Sequence, residues 1–307
     1  MAAQTVVTPG LDPVPSKKVK PRDAARVPGE RSLVASPTTW VVWAATAAFF
    51  VLLIGILVSV VVDSFGKSWF RGWLPESWST SWYAGAWDQY GMTQIIGVTL
   101  GVALAVIVVS VVVGVPAAYL LARRSFPLKR LVTLLFLLPV LMPPITYGIP
   151  LATVMYNLGL ARTITAVILV NLVPSVPFVI MTMTPFIEQI NPSIEAAARM
   201  SGARMRQVFT KILFPLLVPG VLASAILVLV RTVGMFDLTF LVSGPGSDTL
   251  VVAIYRAMTA AGGGEARQLI SAMAVVYTAT MMLILIVALR FVSPTQLVAR
   301  VRETRED

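Results

Sequence analysis

The sequence predicts an all-α polytopic membrane protein with six transmembrane helices, both termini in the cytoplasm, and a short cytoplasmic helix between helices 4 and 5. Three observations predict it. Of 307 residues, 57% are hydrophobic and 12% charged, whereas a soluble domain carries about 25% charged and about 45–50% apolar residues. The apolar residues gather in six runs, each long enough for the roughly 20 residues that cross the hydrocarbon core. Lys and Arg concentrate in alternate connections between those runs, the pattern that orients membrane helices.

The residue types that are missing narrow the chemistry. There is no Cys and no His. Disulfide scaffolds, thiolate chemistry, and zinc, haem or iron–sulfur sites built on those ligands are therefore excluded, as are Ser–His and Cys–His catalytic pairs. The net charge of +10 is not gathered on one soluble module, so it reads as membrane orientation rather than nucleic-acid binding.

Residues 1–39 hold Pro9, Pro13, Pro15, Pro21 and Pro28 among Lys17, Lys18, Lys20, Arg22, Arg26 and Arg31. They read as a disordered, basic cytoplasmic tail, too long for the leading segment of a signal peptide. The run at 40–62 exceeds the ~7–15 residues of a signal-peptide core and reads as the first spanning helix. An outer loop at 63–94 carries Trp69, Trp73, Trp78, Trp82 and Trp87. Its indoles are expected along the outer membrane surface, where an amphipathic ring is best solvated, or against a substrate or partner.

Further apolar runs follow at 95–122, 131–152, 163–186, 215–235 and 269–289. Several contain proline: Pro116, then Pro139, Pro143, Pro144 and Pro150, then Pro174 and Pro177. Each removes an amide donor and bends its helix. With the amino-terminal tail inside, the inner connections hold Arg123, Arg124, Lys129 and Arg130, then Arg199, Arg204, Arg206 and Lys211, then Arg290, Arg300, Arg302 and Arg305. The outer ones hold only Lys67, Arg71, Arg162, Arg256 and Arg267. A cytoplasmic tail at 291–307 ends the chain.

The long inner connection at 188–211 decides the function. Asn191 can cap a helix, Pro192 suits its first position, and Glu195 lies in the first turn, where the helix dipole favours an anion. Ala196, Ala197 and Ala198 continue it without bulk. Gly202 supplies a turn, and a second helix runs from Arg204 through Ile212 to Pro215. Small side chains on a short helix at the inner surface allow another protein to approach closely, a helix-in-groove docking element.

The stretch Glu195-Ala-Ala-Ala-Arg199-Met-Ser-Gly202-Ala203, continued by Lys211-Ile212-Leu-Phe214-Pro215, resembles the "EAA" signature of permease subunits in binding-protein-dependent ABC importers, which share a methionine-importer-like fold. Aligned on Gly202, the spacing to Ile212 and Pro215 agrees. Phe214 stands where leucine is usual, and Ala196 where the family's glutamate is usual, with Glu195 one position earlier. The resemblance continues over 95–290 through Gly114-Val-Pro-Ala-Ala-Tyr119-Leu-Leu-Ala-Arg123, Leu138-Pro139, Pro143 and Pro177-Phe178.

That resemblance implies a coupling helix seated in a cleft of an ATPase subunit, with Glu195, Ala196, Ala197, Ala198, Arg199, Gly202, Ala203, Ile212 and Pro215 as its coupling residues. It implies nucleotide-binding ATPase subunits, a second permease subunit forming a heterodimer, and an extracytoplasmic substrate-binding protein as partners. The setting it implies is a bacterial inner membrane. This chain is expected to bind no cofactor, ATP and Mg being used by the partner. Gly66-Lys67-Ser68 looks like the end of a phosphate-binding loop, but Val61 stands where its first glycine belongs and the tripeptide lies on the outer side.

Arg231 is the basic residue within a span, and Asp237 follows near that span's outer end. An intramembrane charge costs about 2.5–3.5 kcal/mol on insertion scales and normally faces protein or water. The pair reads as part of the translocation path, or as a structural pair or snorkelling residues; six positions apart, they do not share a helical face. By resemblance, the stretch 248–258, before the glycine break at 262–264, is expected to reach toward the pore and a docked binding protein.

Segments 73–83 and 234–245 look most like the polyamine and ferric-iron branch of the family, with sugar and polyol permeases close. An ion-coupled carrier or channel is the competing class. It should carry more intramembrane acids or inverted repeats, neither of which is visible here.

Overall fold

The computed structural model describes residues 37–69, 72, 74–260 and 264–291. Residues 1–36 of the expected tail at 1–39, residues 292–307 of that at 291–307, Arg71, Trp73 and the first two glycines of 262–264 lie outside the described residues, while residues 37–39 are helical rather than part of a tail. The chain divides after Gly55 into two units. Within the first, the described residues are the opening part of helix α1 (Pro37–Phe65), whose most apolar stretch buries none of its side chains.

The second unit is a helical bundle. Its elements are α2 (Ser81–Tyr90), α3 (Met92–Arg123), α4 (Lys129–Leu141), α5 (Pro144–Asn157), α6 (Ile164–Glu188), α7 (Pro192–Met200), α8 (Met205–Val208), α9 (Phe214–Val233), α10 (Asp237–Val242), α11 (Leu250–Met258) and α12 (Arg267–Phe291). A π-helical segment at Phe209–Leu213 joins α8 to α9, so the fifth span is continuous from Met205 to Val233. Among the described residues, five helices are long and apolar enough to cross a membrane, and α4 with α5 makes six where that bent pair counts as one span.

The run at 131–152 is thus not one helix. It breaks between α4 and α5 with a bend of 98°. Consecutive Pro143 and Pro144 supply the cause, since neither can donate to the preceding turn and each excludes the residue before it from the helical region. Pro116, Pro174 and Pro177 lie inside unbroken helices. A lone proline in a long membrane helix is accommodated where neighbouring helices support the freed carbonyls.

The core lies between α3 and α6, with Val102, Val106, Ala118, Val167, Val170, Val179 and Met183 buried along the seam. Gly114 permits that approach: a Cβ there would stand 2.8–2.9 Å from the Val179 side chain. Small residues at such crossings let backbones close up where lipid offers no hydrophobic drive. Gly114→Val should force α3 and α6 apart and destabilise the bundle by about 1–3 kcal/mol, read as a lower melting temperature and lower yield in detergent. An unchanged melting temperature would contradict the packing described.

The segment 63–94 is more ordered than the expected loop. Helix α1 runs on to Phe65, strands β1 (Gly66–Ser68) and β2 (Ser77–Trp78) pair antiparallel, and α2 follows. Its tryptophans divide by role. Trp78 and Trp87 are exposed, as interfacial anchors should be. Trp82 donates from Nε1 to the Gly66 carbonyl at 2.9 Å, and Trp69 lies under the Arg267 guanidinium at 5.5 Å. Two polar ties fix this segment to the start of α12. Asp63 accepts from Arg267 and from Ser271 Oγ at 2.7 Å, and Glu265 Oε1 accepts from Gln89 Nε2 at 2.6 Å and from Tyr90 at 3.1 Å. Burial, and then that hydrogen bond to Glu265, push the Tyr90 hydroxyl up to about 12, so it stays a donor at physiological pH.

Candidate functional site

Two groups of residues stand out at different depths. The first is α7, at the inner end of the bundle. Asn191 caps it, its Oδ1 accepting from the Ser193 amide at 2.9 Å, and Pro192 occupies the first turn. Gly202 ends it at φ +81°, with the amide of Ala203 donating to the Ala198 carbonyl and that of Gly202 to the Arg199 carbonyl. This left-handed turn satisfies the last carbonyls and is open to glycine without strain.

The phase of α7 is set by Glu195, which is 3% exposed. Its Oε2 accepts from the Tyr119 hydroxyl at 2.7 Å and its Oε1 from Arg123 Nε at 2.8 Å. Arg123 also donates to the Ile190 carbonyl, and Arg199 reaches Glu195 Oε2 at 3.5 Å. One carboxylate therefore ties α7 to the last turn of α3. With Glu195 turned inward, Ala198 and Ala203 pack on the core, and Ile212 is half-buried. Ala196, Ala197, Arg199, Gly202 and Pro215 are exposed. So are Ile194 and, at 85%, Met200.

The expected coupling residues therefore separate into an outward face and an inward anchor. Glu195 belongs to the anchor. Sequence reasoning missed Met200, Tyr119 and Arg123 as parts of this site. An apolar Met in the last turn of a cytoplasmic helix was visible and was the available signal.

The second group lies within the membrane. The Arg231 guanidinium sits over the Phe178 ring at 5.6 Å from its centroid. Arg231 itself lies in the last turn of α9, whereas Phe178 lies roughly 21 Å from the outer end of α6 and roughly 15 Å from the inner end at about 1.5 Å per residue. Among the described residues Arg231 and Asp237 form no ion pair with each other or with any side chain. Tyr147, in the first turn of α5 just beyond the proline break, has its hydroxyl buried without a hydrogen-bond partner among the described residues, as has Thr232 beside Arg231. Asn171 on α6 is satisfied instead, donating to Thr239 Oγ1 at 3.2 Å. The ends of α5, α9 and α10 thus carry a cation, an anion and two buried hydroxyls without hydrogen-bond partners among the described residues.

Residues 110–303 match the family described as "Binding-protein-dependent transport system inner membrane component". The chain belongs to this family. The permease is 37% identical over 132 residues to the trehalose transport system permease protein SugB of Mycobacterium tuberculosis, covering 43% of this chain and 48% of that protein. It is 28% identical over 179 residues to the sulfate transport system permease protein CysT of Salmonella typhimurium, covering 53% of this chain and 64% of that protein. The permease thus spans roughly half to two thirds of the length of these relatives. A solved chain in the crystal structure of a bacterial ABC transporter involved in the import of the polysaccharide alginate superimposes with a TM-score of 0.68 at 17% identity, covering 84% of this chain and 99% of that one. That agreement is one of fold, and it includes the multi-pass helical architecture expected from the sequence.

Proposed function

We propose that this permease is one of two membrane subunits of an ATP-driven, binding-protein-dependent importer in a bacterial inner membrane, with ATP and Mg used by a separate ATPase subunit that grips α7. The observation that carries the reading is the geometry of α7: a capped nine-residue helix, turned outward with alanines and Met200, and tied through Glu195 to a spanning helix. A push on such a helix is delivered to α3 rather than absorbed in a loop. The second membrane subunit is expected to be a different chain, and an extracytoplasmic binding protein to deliver the solute.

The test is co-purification. Met200→Asp or Ala197→Trp, made in the full chain and expressed with its ATPase subunit, should weaken their association by roughly thirtyfold or more, as loss of about 2 kcal/mol at an interface anchor does. Insertion and the melting temperature of the permease itself should be unchanged. Association indifferent to both variants would reject α7 as the docking helix.

Among the substrate classes expected from the sequence, we place a sugar or polyol ahead of a polyamine or ferric iron. The group around Arg231 and Asp237 offers one cation and one anion, with no excess of acids to attract a polycation. The relative named above for trehalose supports that order.

A further inference from the structure

On the outer side, the start of α3 and the turn leading into α11 enclose a cleft of about 290 Å³. Its polar lining comprises Gln89, Tyr90, Gln94, Asp248 and Arg256, and its apolar lining includes Ile95, Val98 and Ala253. The turn is held rigid. Asp248 accepts from Ser243 Oγ at 2.7 Å, the Gly244 amide donates to Ser247 Oγ at 2.9 Å, and the Leu250 amide donates to Thr99 Oγ1 at 2.9 Å, pinning α11 to α3. A Cβ on Gly246 would stand 3.8 Å from Gln94 Nε2, so the turn lies directly beside that amide.

The lining carries no net charge. Arg256 Nε lies 2.9 Å from Asp248 Oδ2, yet its N–H is not aligned for a hydrogen bond and is buried without one. The Gln94 side chain has no hydrogen-bond partner among the described residues, and the Gln89 side chain uses only its Nε2, on Glu265. The cleft therefore presents amide oxygens and the Gln94 N–H₂ with capacity to spare, beside an Asp248–Arg256 ion pair whose guanidinium also donates to the Ser243 carbonyl, over a floor of aliphatic side chains. Such a set pairs with hydroxyls, which donate and accept, and the floor suits the C–H face of a sugar ring. The volume is at the small end of ligand sites, which begin near roughly 300 Å³.

We propose that this cleft binds a neutral polyhydroxylated solute of about one sugar ring, or the terminal ring of a longer saccharide, as a receiving site on the outer side of the permease. The assignment rests on the importer reading, but it is tested without the ATPase.

The full chain, purified into lipid nanodiscs, is titrated with glucose, trehalose, spermidine and sulfate, and binding is followed by saturation-transfer NMR. The expected result is saturable binding of glucose or trehalose, weakened about tenfold in Gln94→Leu and again in Gln89→Leu, the loss of one hydrogen bond to a bound group in each case. Gln94 is exposed and unpaired, so its variant should keep the wild-type melting temperature, which is measured alongside. Absence of saturable sugar binding, sugar binding indifferent to both substitutions, or tighter binding of spermidine or sulfate would overturn the site. Those outcomes leave the α7–ATPase association as measured, and failure of that association leaves sugar binding intact, so the two readings fail separately.

Discussion

Glu195→Ala should uncouple the permease: ATP-driven uptake falls by more than about a hundredfold, while the protein still inserts and accumulates in the membrane. The buried carboxylate holds the Tyr119 hydroxyl and the Arg123 guanidinium, and removing it leaves a largely buried cation without its counter-charge, held only by the Ile190 carbonyl. Breaking one side of a buried pair costs about 3–5 kcal/mol. Here the cost falls on the seating of α7, because Glu195 is the buried polar residue of that helix. The helix is expected to detach and exchange its amides quickly, and hydrogen exchange over 192–200 reads this directly. Glu195→Gln keeps the acceptor for Tyr119 and loses the ion pair, so it should fall between the two.

A double replacement separates anchoring from any special need for charge. Arg123→Met with Glu195→Met puts two apolar side chains where the ions meet, a change that is often neutral or stabilising for buried pairs. If Glu195 only positions α7, the double variant recovers most of the uptake and slow exchange that Glu195→Ala loses, a coupling visible in the four-variant cycle. Normal uptake and slow exchange in the single Glu195→Ala variant would refute the anchoring role.

The apolar spans and the short helix at 192–200 were legible because each rests on a local signal: an apolar run of fixed length, or a cap followed by alanines. Asn191, Pro192 and Gly202 hold the positions their chemistry predicts. The facing of Glu195 was not legible. A nine-residue helix shows too little periodicity to fix its own phase, and the partners that fix it, Tyr119 and Arg123, lie 76 and 72 residues away. The same limit applied at 63–94, where the order comes from Trp82 reaching back to Gly66 and from Asp63 meeting Arg267 and Ser271 across the fold. Pro143 and Pro144 marked a break, but whether a break becomes a bend of 98° depends on what packs on each half. Gly148, where a Cβ would meet Leu238 and Leu241 of α10 at 2.9 and 3.0 Å, shows how closely that second half is seated.

Arg231→Leu should cut transport at least about tenfold without harming the fold. If the guanidinium were structural, it would have a carboxylate partner, and none stands within ion-pair distance among the described residues; its contact is the Phe178 ring. Cation–π attraction of about 0.5–2 kcal/mol does not offset the roughly 2.5–3.5 kcal/mol that an Arg costs mid-membrane. A leucine at 231 should therefore leave the melting temperature unchanged or raised, and association with the ATPase intact. Uptake should drop at least about tenfold, the cost of one hydrogen bond lost from a solute in transit. Arg231→Lys keeps the charge but not the planar fork that lies over Phe178 and donates in two directions, so uptake should recover only in part. Asp237→Asn is expected to resemble Arg231→Lys, keeping a polar acceptor without the charge. Combining uptake with the melting temperature decides the matter. A variant that is more stable and inactive places Arg231 in the path, whereas one that is less stable with full uptake makes it a strut between α9 and α6.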